Sequence, residues 1–416
     1  MFVRVSRLTV AVTLVGCALS VADRSAIAQA TTAKSPVTRQ AAITSAISRS
    51  PQATLAAADT ASAAANVLVA RQFENPILGT SFTQSAPQQH FTLDIPLDPW
   101  WIRSPRVAAA DAARAASRFR FAFATRSIGF NADTAYTRAQ LTVARSRLSA
   151  RTSRDADSLL VLARVRRDAG DASELDVELA AVFAGQSRNA ASADSIATQS
   201  AALTLQTIMG ISTDSAHIVV TDSLMLETPE STPLPSAAVT PLVVDAASRD
   251  VAAAESRVLT ERRRRFGAPS LSVGFENINP GGPNGPLASA GLSFPLPLFN
   301  RNGAAVMSAR AELLRAEAQL ALTRLSTSAA VVATTRDAEA ARARALRSSQ
   351  LVASADRIAA LSLLAYREGA STLMLVLEAQ RAARETLGQY LDDVAASRTA
   401  TSLLRLLTTL APDSRP

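Results

Sequence analysis

The chain has 416 residues, a formal net charge of +8 and a single cysteine. One cysteine makes no intrachain pair, so no disulfide framework holds this fold. The positive charge comes from arginine scattered along the helical stretches, which reads as solvated helix faces rather than a nucleic-acid surface.

Residues 1–30 read as an export signal. Arg4 and Arg7 form its charged start, Leu8 to Leu19 its apolar core, and Ala26-Ile27-Ala28 a small-x-small cleavage site. The segment Leu14-Val15-Gly16-Cys17 also fits a lipoprotein signal, with Cys17 as the lipidated first residue of the mature chain. The stretch Ala18 to Ala22 is still apolar, which favours cleavage near Ala28. By either route the mature protein leaves the cytoplasm. No uninterrupted apolar run of about 20 residues follows, so no transmembrane helix is expected.

Residues 31–210 form a first unit. Pro36 to Ala70 is Ala-rich and reads as helix, with Ser50-Pro51 marking a start or kink. A β-hairpin follows over 76–97, joined by Ser85 to Gln89. In its second strand Phe91, Leu93, Ile95 and Leu97 share one face, and Thr92 and Asp94 the other. Trp100 and Trp101 lie at the strand-to-helix junction, suited either to a membrane-interface belt or to packing inside the junction. A long helical hairpin over 105–209 comes next, with its tip at 167–175 around Gly170. Each arm before a tip is about 65 residues, or roughly 100 Å of helix.

Residues 211–241 are rich in Ser, Thr and Pro and read as a connector packed outside the helices, partway along them. Residues 242–411 form a second unit of the same order: helix, β-hairpin at 269–296, helical hairpin at 301–408 with a tip at 366–373. Residues 412–416 are a tail. Leu271, Val273 and Phe275 alternate with Ser272, Gly274 and Glu276, and Leu292, Phe294 and Leu296 continue the pattern in the fourth strand. Val306, Ala309, Leu313, Ala316 and Leu320 step at heptad spacing, as do Leu351, Ala355, Ile358, Ser362 and Ala365. The run Arg262 to Arg265 either sits near anionic lipid or an acidic neighbour, or is the charged flank of a helix end.

The two units are an internal repeat: Pro96 to Pro295 and Gly170 to Gly369 are both 199 positions apart. The echo of Phe73-Glu74-Asn75 in Phe275-Glu276-Asn277 is misleading, because aligning on it sets a strand against a loop. Alignment through Pro76 and Pro269 keeps strand opposite strand. Four strands cannot close into a ring, and strands in hydrocarbon must close. The strands must therefore join those of other copies.

The order helix, strand pair, long helical hairpin, all repeated, resembles the TolC family of outer-membrane efflux ducts across essentially the whole mature chain. The carrying motifs are Phe294-Pro295-Leu296-Pro297-Leu298-Phe299-Asn300-Arg301-Asn302, Tyr366-Arg367-Glu368-Gly369-Ala370-Ser371-Thr372-Leu373, and the looser Arg167 to Val177. Glu74-Asn75-Pro76 and the entry from Arg103 to Arg106 resemble the branch serving heavy-metal pumps. The resemblance implies a mainly α fold with a small β part. In a homotrimer it forms a 12-stranded outer-membrane β-barrel continued by a periplasmic α-helical barrel. It implies a passive exit duct for metal ions, drugs or other small molecules. The expected partners are outer-membrane lipid, a periplasmic adaptor (membrane fusion protein) and an inner-membrane pump of RND or ABC type. Adaptor hairpins would meet the tips at Gly170, Ala172, Ser173, Leu175, Arg367, Gly369, Ala370, Ser371 and Leu373. These glycines also serve simply as helix-to-helix turns. Asp176, Glu178, Tyr366, Arg367 and Glu378 are the candidates for the aperture, with Arg367 pairing beside Tyr366 across it. Leu375 stands where the family has an acid.

Nothing in the sequence assembles an enzyme site. His90 and His217 are far apart, no metal-ligand cluster, Gly-rich phosphate loop or Gly-x-Ser-x-Gly elbow occurs, and no cofactor is expected. Two rival readings are a periplasmic coiled-coil adaptor, which would carry one hairpin and β-rich modules, and a structural protein of an export assembly, which would not need duplicated amphipathic strands.

Overall fold

The computed structural model describes residues 35–84, 89–211, 215–226, 241–277 and 287–408. The export signal with Cys17, the loop at 85–88, much of the connector and the 412–416 tail lie outside the described residues.

A short strand, β1 (Ser35–Val37), leads into α1 (Arg39–Arg49) and α2 (Pro51–Arg71). Ser50 separates the helices: its Oγ accepts the Ala53 N–H at 3.2 Å, and Pro51 fills the first helical position, where a missing N–H is harmless. Then come β2 (Ile77–Phe82), β3 (Gln89–Pro96), α3 (Trp100–Asp168), α4 (Glu174–Ile208) and β4 (Ile218–Val220). The second unit follows as α5 (Leu242–Arg264), β5 (Ser270–Asn277), β6 (Leu287–Ser293), α6 (Gly303–Arg367) and α7 (Leu373–Leu407).

Several boundaries differ from the sequence expectation, each for a physical reason. Helix α3 begins at Trp100, with Pro105 inside it. Pro105 has no N–H to give the Trp101 carbonyl one turn back. Arg263 of α5 donates to that carbonyl instead, at 2.9 Å. The fourth strand runs Leu287–Ser293, so Phe294 and Leu296 fall beyond it. Pro295 and Pro297 bring no donor to a ladder and end it. Helix α2 passes a length-and-composition test for crossing a membrane, although Asp59 and several Ser, Thr, Asn and Gln residues interrupt its apolar run. It lies along α3, where Arg106 and Arg103 cap its final carbonyls, Ala70 O and Arg71 O, at 3.1 and 2.8 Å.

The helices form a layered wall rather than a ball. Helix α3 packs on α4, α2, α5 and α7, while α6 packs on α5 and α7. The core is correspondingly split into separate clusters, one at the tip and others near mid-length. Alanine dominates these contacts and lets helix axes approach closely. The stripe at Val306, Ala309, Leu313, Ala316 and Leu320 does turn inward. The second stripe does so only in part: Ala355, Ser362 and Ala365 are buried or half-buried, Leu351 and Ile358 are exposed, and Val352, Ala359 and Tyr366 complete the inward seam.

The β2, β3, β5 and β6 strands make one antiparallel sheet in that order. The helices that follow or precede them keep the same sequence, α2, α3, α5, α6. Strands β1 and β4 make a separate parallel pair, Ser35 opposite Ile218 and Val37 opposite Val220.

Candidate functional site

The sheet has two chemically distinct faces. Register places Leu93 against Leu78 and Val273, Phe91 against Phe275, and Leu271 against Leu292, all on one side. Phe91 and Phe275 stack with centroids 4.9 Å apart. No helix among the described residues covers this side: Leu78 and Phe82 are each 68% exposed. The opposite side carries His90 beside Glu276, Thr92 beside Gly274, and Asp94 beside Ser272. His90 Nδ1 lies 3.5 Å from Glu276 Oε1. At the middle of the polar side, beside Thr92, space is short. A Cβ on Gly274 would sit 2.5 Å from the Phe91 carbonyl oxygen and 3.1 Å from Ser289 Oγ. The outer strands β2 and β6 have no pairing partner on their free edges among the described residues.

At the far end, both helical hairpins turn in the same way. Gly170 has φ +84° and Gly369 φ +74°, the left-handed backbone that glycine tolerates without strain. In the first turn Asp171 N–H reaches Arg166 O at 2.8 Å and Gly170 N–H reaches Arg167 O at 2.9 Å. Ala370 and Gly369 repeat this on Ala365 O and Tyr366 O at 2.8 and 3.1 Å, so both are Schellman closures. Ser173 then caps α4 in a reciprocal box: its Oγ accepts Asp176 N–H at 3.2 Å, and Asp176 Oδ2 accepts Ser173 N–H at 3.1 Å. Thr372 caps α7 more loosely at 3.5 Å, with Leu375 where the box would need an acid.

The expected tip residues separate into different roles. Gly170, Ser173, Leu175, Arg367, Gly369 and Ala370 are exposed, and Ala172 and Ser371 half-buried. Leu373 is 1% exposed and belongs to the tip core with Leu159, Val177 and Val376, so its side chain is not a surface contact. Asp176 serves the capping box. Glu178 is exposed, and Glu378 lies 4.0 Å from Arg381 one turn along. Tyr366 is buried against the first hairpin. Arg166 of the first hairpin lies over its ring at 4.6 Å and donates to its carbonyl oxygen. Tyr366 is 3% exposed and its hydroxyl meets no hydrogen-bond partner among the described residues. Burial raises its pKa; the Arg166 charge opposes this shift and the Asp176 carboxylate adds to it. Arg367 borders a groove of about 640 Å³ with Arg151, Asp155, Asp356 and Arg384, floored by Leu159, Leu363 and Val376.

Sequence reasoning missed a polar clamp at mid-length. Asp133, a buried acid on α3, receives Arg39 at 2.8 Å and the Ser402 hydroxyl. Tyr136 OH donates to Asp222 Oδ2 at 2.9 Å and lies 3.0 Å from the Val37 carbonyl. Gln140 Nε2 donates to Asp222 O at 2.9 Å, and Arg398 Nη1 donates to Gln140 Oε1 at 2.9 Å. The backbone N–H of Arg39 and the Tyr136 hydroxyl lower the Asp222 pKa, while burial and the Asp222 carboxylate raise that of Tyr136. The connector is thereby stitched to β1, α3 and α7. The available signal was the run of polar residues at positions 133, 136 and 140, one face of an otherwise small-residue helix.

Residues 244–410 match the family model described as outer membrane efflux protein. That match lies within the second unit, and the first unit repeats the same elements in the same order. Among curated proteins none matches the sequence. Over 89% of its length the chain has the fold of solved outer-membrane channels. It is similar to a membrane protein from Pseudomonas aeruginosa, with 20% identity, TM-score 0.77, and coverage of 89% of this chain and 93% of that one. It also resembles the outer membrane protein VceC of Vibrio cholerae, at 19% identity and TM-score 0.73 over 89% and 95% of the two chains. The open-state MtrE outer membrane channel of Neisseria gonorrhoeae superposes with TM-score 0.69 at 15% identity over 89% and 88%.

Proposed function

We propose that three copies of this chain form the outer-membrane exit duct of a tripartite efflux system. The observation that carries this reading is the sheet, with two open edges and an uncovered apolar face. In hydrocarbon, unpaired backbone groups cost several kcal/mol each, so open edges demand neighbours. Strands β2 and β6 run in opposite directions, so β6 of one copy beside β2 of the next continues the antiparallel order. The strands have 6 to 8 residues. At about 3.3 Å per residue they reach roughly 20 to 26 Å along the strand, and the tilt of a barrel makes their height across the membrane less than that. The polar face with Thr92, Asp94, Ser272 and Glu276 then lines a wet lumen, and α2, α3, α5 and α6 continue its wall into the periplasm.

The tips form the periplasmic end. An adaptor hairpin docks on Gly170, Ala172, Ser173, Leu175, Gly369, Ala370 and Ser371, beside the groove that Arg367 borders, and exposed Met374 and Leu375 enlarge the apolar part of that surface. The pump, of RND or ABC class, supplies the energy and the duct conducts passively. Glu178 and Glu378 set charge at the aperture, and the Arg166–Tyr366 contact holds the two hairpins of one copy together there. Structures at 15 to 20% identity do not single out a heavy-metal branch, so the cargo class stays as broad as metal ions, drugs and other small molecules. An adaptor would have a single hairpin, whereas two equal hairpins are present.

The test is recovery from cells. Outer-membrane fractions are expected to yield a heat-modifiable trimer that conducts in planar bilayers. A soluble periplasmic monomer, or a trimer without conductance even after charge-neutralising changes at the tip, overturns the reading.

A further inference from the structure

Where the sheet meets the helices, the chain exposes Trp100, Phe266, Phe294, Leu296, Leu298 and Phe299. All lie at one end of the strands: Trp100 follows β3, Phe266 precedes β5, and the rest follow β6. The segments are contiguous in space. Leu97 N–H donates to Pro269 O at 2.8 Å, and a Cβ on Gly267 would overlap Pro295. The backbone here is also poor in donors, because Pro96, Pro99, Pro269, Pro295 and Pro297 carry no N–H. That composition suits a layer drier than water and wetter than hydrocarbon.

The same band holds unbalanced charge. Arg103 and Arg106 pair with Asp98, at 3.6 and 2.5 Å, and Arg264 pairs with Glu261 at 2.9 Å. Arg262 and Arg265 are exposed and meet no carboxylate among the described residues. The Arg265 guanidinium instead lies over the Phe266 ring at 4.7 Å, which fixes it beside the apolar patch. The α5 C-terminus favours cations by its dipole, but that explains neither the aromatic side chains nor the prolines.

We infer that Arg262 and Arg265, with the apolar side chains around them, bind the phosphate headgroup of an anionic phospholipid in the periplasmic leaflet. The inference rests on the membrane placement of the sheet proposed above. Aromatic side chains settle where hydrocarbon meets water, and arginine there complements anionic headgroups. The uncovered apolar face of the sheet runs directly into this band and supplies the surface for the acyl chains.

The full-length trimer, placed in nanodiscs of phosphatidylethanolamine with a minor share of phosphatidylglycerol, is extracted, and its retained lipid is counted by native mass spectrometry. Wild type is expected to retain phosphatidylglycerol preferentially, with the preference falling as salt rises. Arg262→Gln with Arg265→Gln is expected to lower that retention about fivefold per arginine. The Arg→Lys pair and the remote Arg324→Gln, far along α6 from the band, should keep most of it. Equal retention of both lipids by wild type, or unchanged retention by the double Gln variant, overturns the inference. So does trimer dissociation in that variant with lipid retention intact, which would make the band a protomer contact. If the variant does not fold, the wild-type salt titration decides. Failure of wild type to enter nanodiscs at all sinks the membrane placement, whereas entry without lipid preference sinks only the headgroup site.

Discussion

Asp222 accepts from the Arg39 backbone and the Tyr136 hydroxyl, and these bonds favour its charged form. Its folded-state pKa lies below the unfolded value of about 3.9, so its contribution to stability is complete above that value and fades as pH falls through the lower one. Thermal unfolding followed by circular dichroism should therefore show an acid-sensitive component that Asp222→Asn removes, with no difference in slope at neutral pH. Tyr136 is fully buried, and its one hydroxyl hydrogen goes to Asp222 Oδ2 with the Val37 carbonyl 3.0 Å away. Tyr136→Phe is expected to lower stability by about 1 to 3 kcal/mol, as Asp222 loses a donor. Gly274 illustrates a different constraint. Any Cβ there collides with the Phe91 carbonyl, a backbone atom that cannot rotate away. Gly274→Val should abolish the heat-modifiable trimer while leaving the helical circular dichroism of the chain in place.

At the scale of elements, the two hairpins turn alike but are capped unequally. The first has the Ser173–Asp176 box; the second has Thr372 with Leu375 in the acid's place. Ser173→Ala should cost about 1 kcal/mol in thermal unfolding, and Leu375→Asp should recover a similar amount for α7. Arg166 joins the two tips through Tyr366, so Arg166→Met is expected to raise single-channel conductance in planar bilayers; unchanged conductance would remove the latch role. How much of this the sequence revealed depended on range. The duplication, the glycine turns and the alternating strands follow from local periodicity and were readable. The Arg166–Tyr366 contact was not, because it joins residues 200 positions apart and Arg367 was the nearer cation. Strands β1 and β4, at 3 residues each, are too short to show alternation. The seam of α6 keeps Ala355 and Ser362 of the expected stripe but not Leu351 and Ile358, which are as apolar as the residues that turn inward.

For the whole molecule, those misassigned leucine and isoleucine side chains carry information of their own. Leu351, Ile358 and Leu361 are 58 to 60% exposed on one chain, well placed to meet another. Burying each fully is worth roughly 1.5 to 3 kcal/mol. Ile358→Asp should shift size-exclusion profiles from trimer towards monomer without loss of helix content.

The repeat arithmetic also fixes how neighbouring copies must mesh. A shift of 193 positions carries β2 onto β5, one of 199 carries β3 onto β6, and the pairing Ile77–Asp94 then becomes the observed Ser270–Ser293. Applied to the Leu93–Val273 pairing inside one chain, the same shifts set Leu292 of one copy opposite Thr80 of the next, with apolar faces matched. Thr80→Cys with Leu292→Cys should cross-link a ladder of subunits under mild oxidation, while Thr80→Cys with Ala288→Cys and the single-cysteine controls should not. The junction that covalent continuity forces on each polypeptide would thus be the template for the one assembly has to make, giving a trimer with near-sixfold internal order.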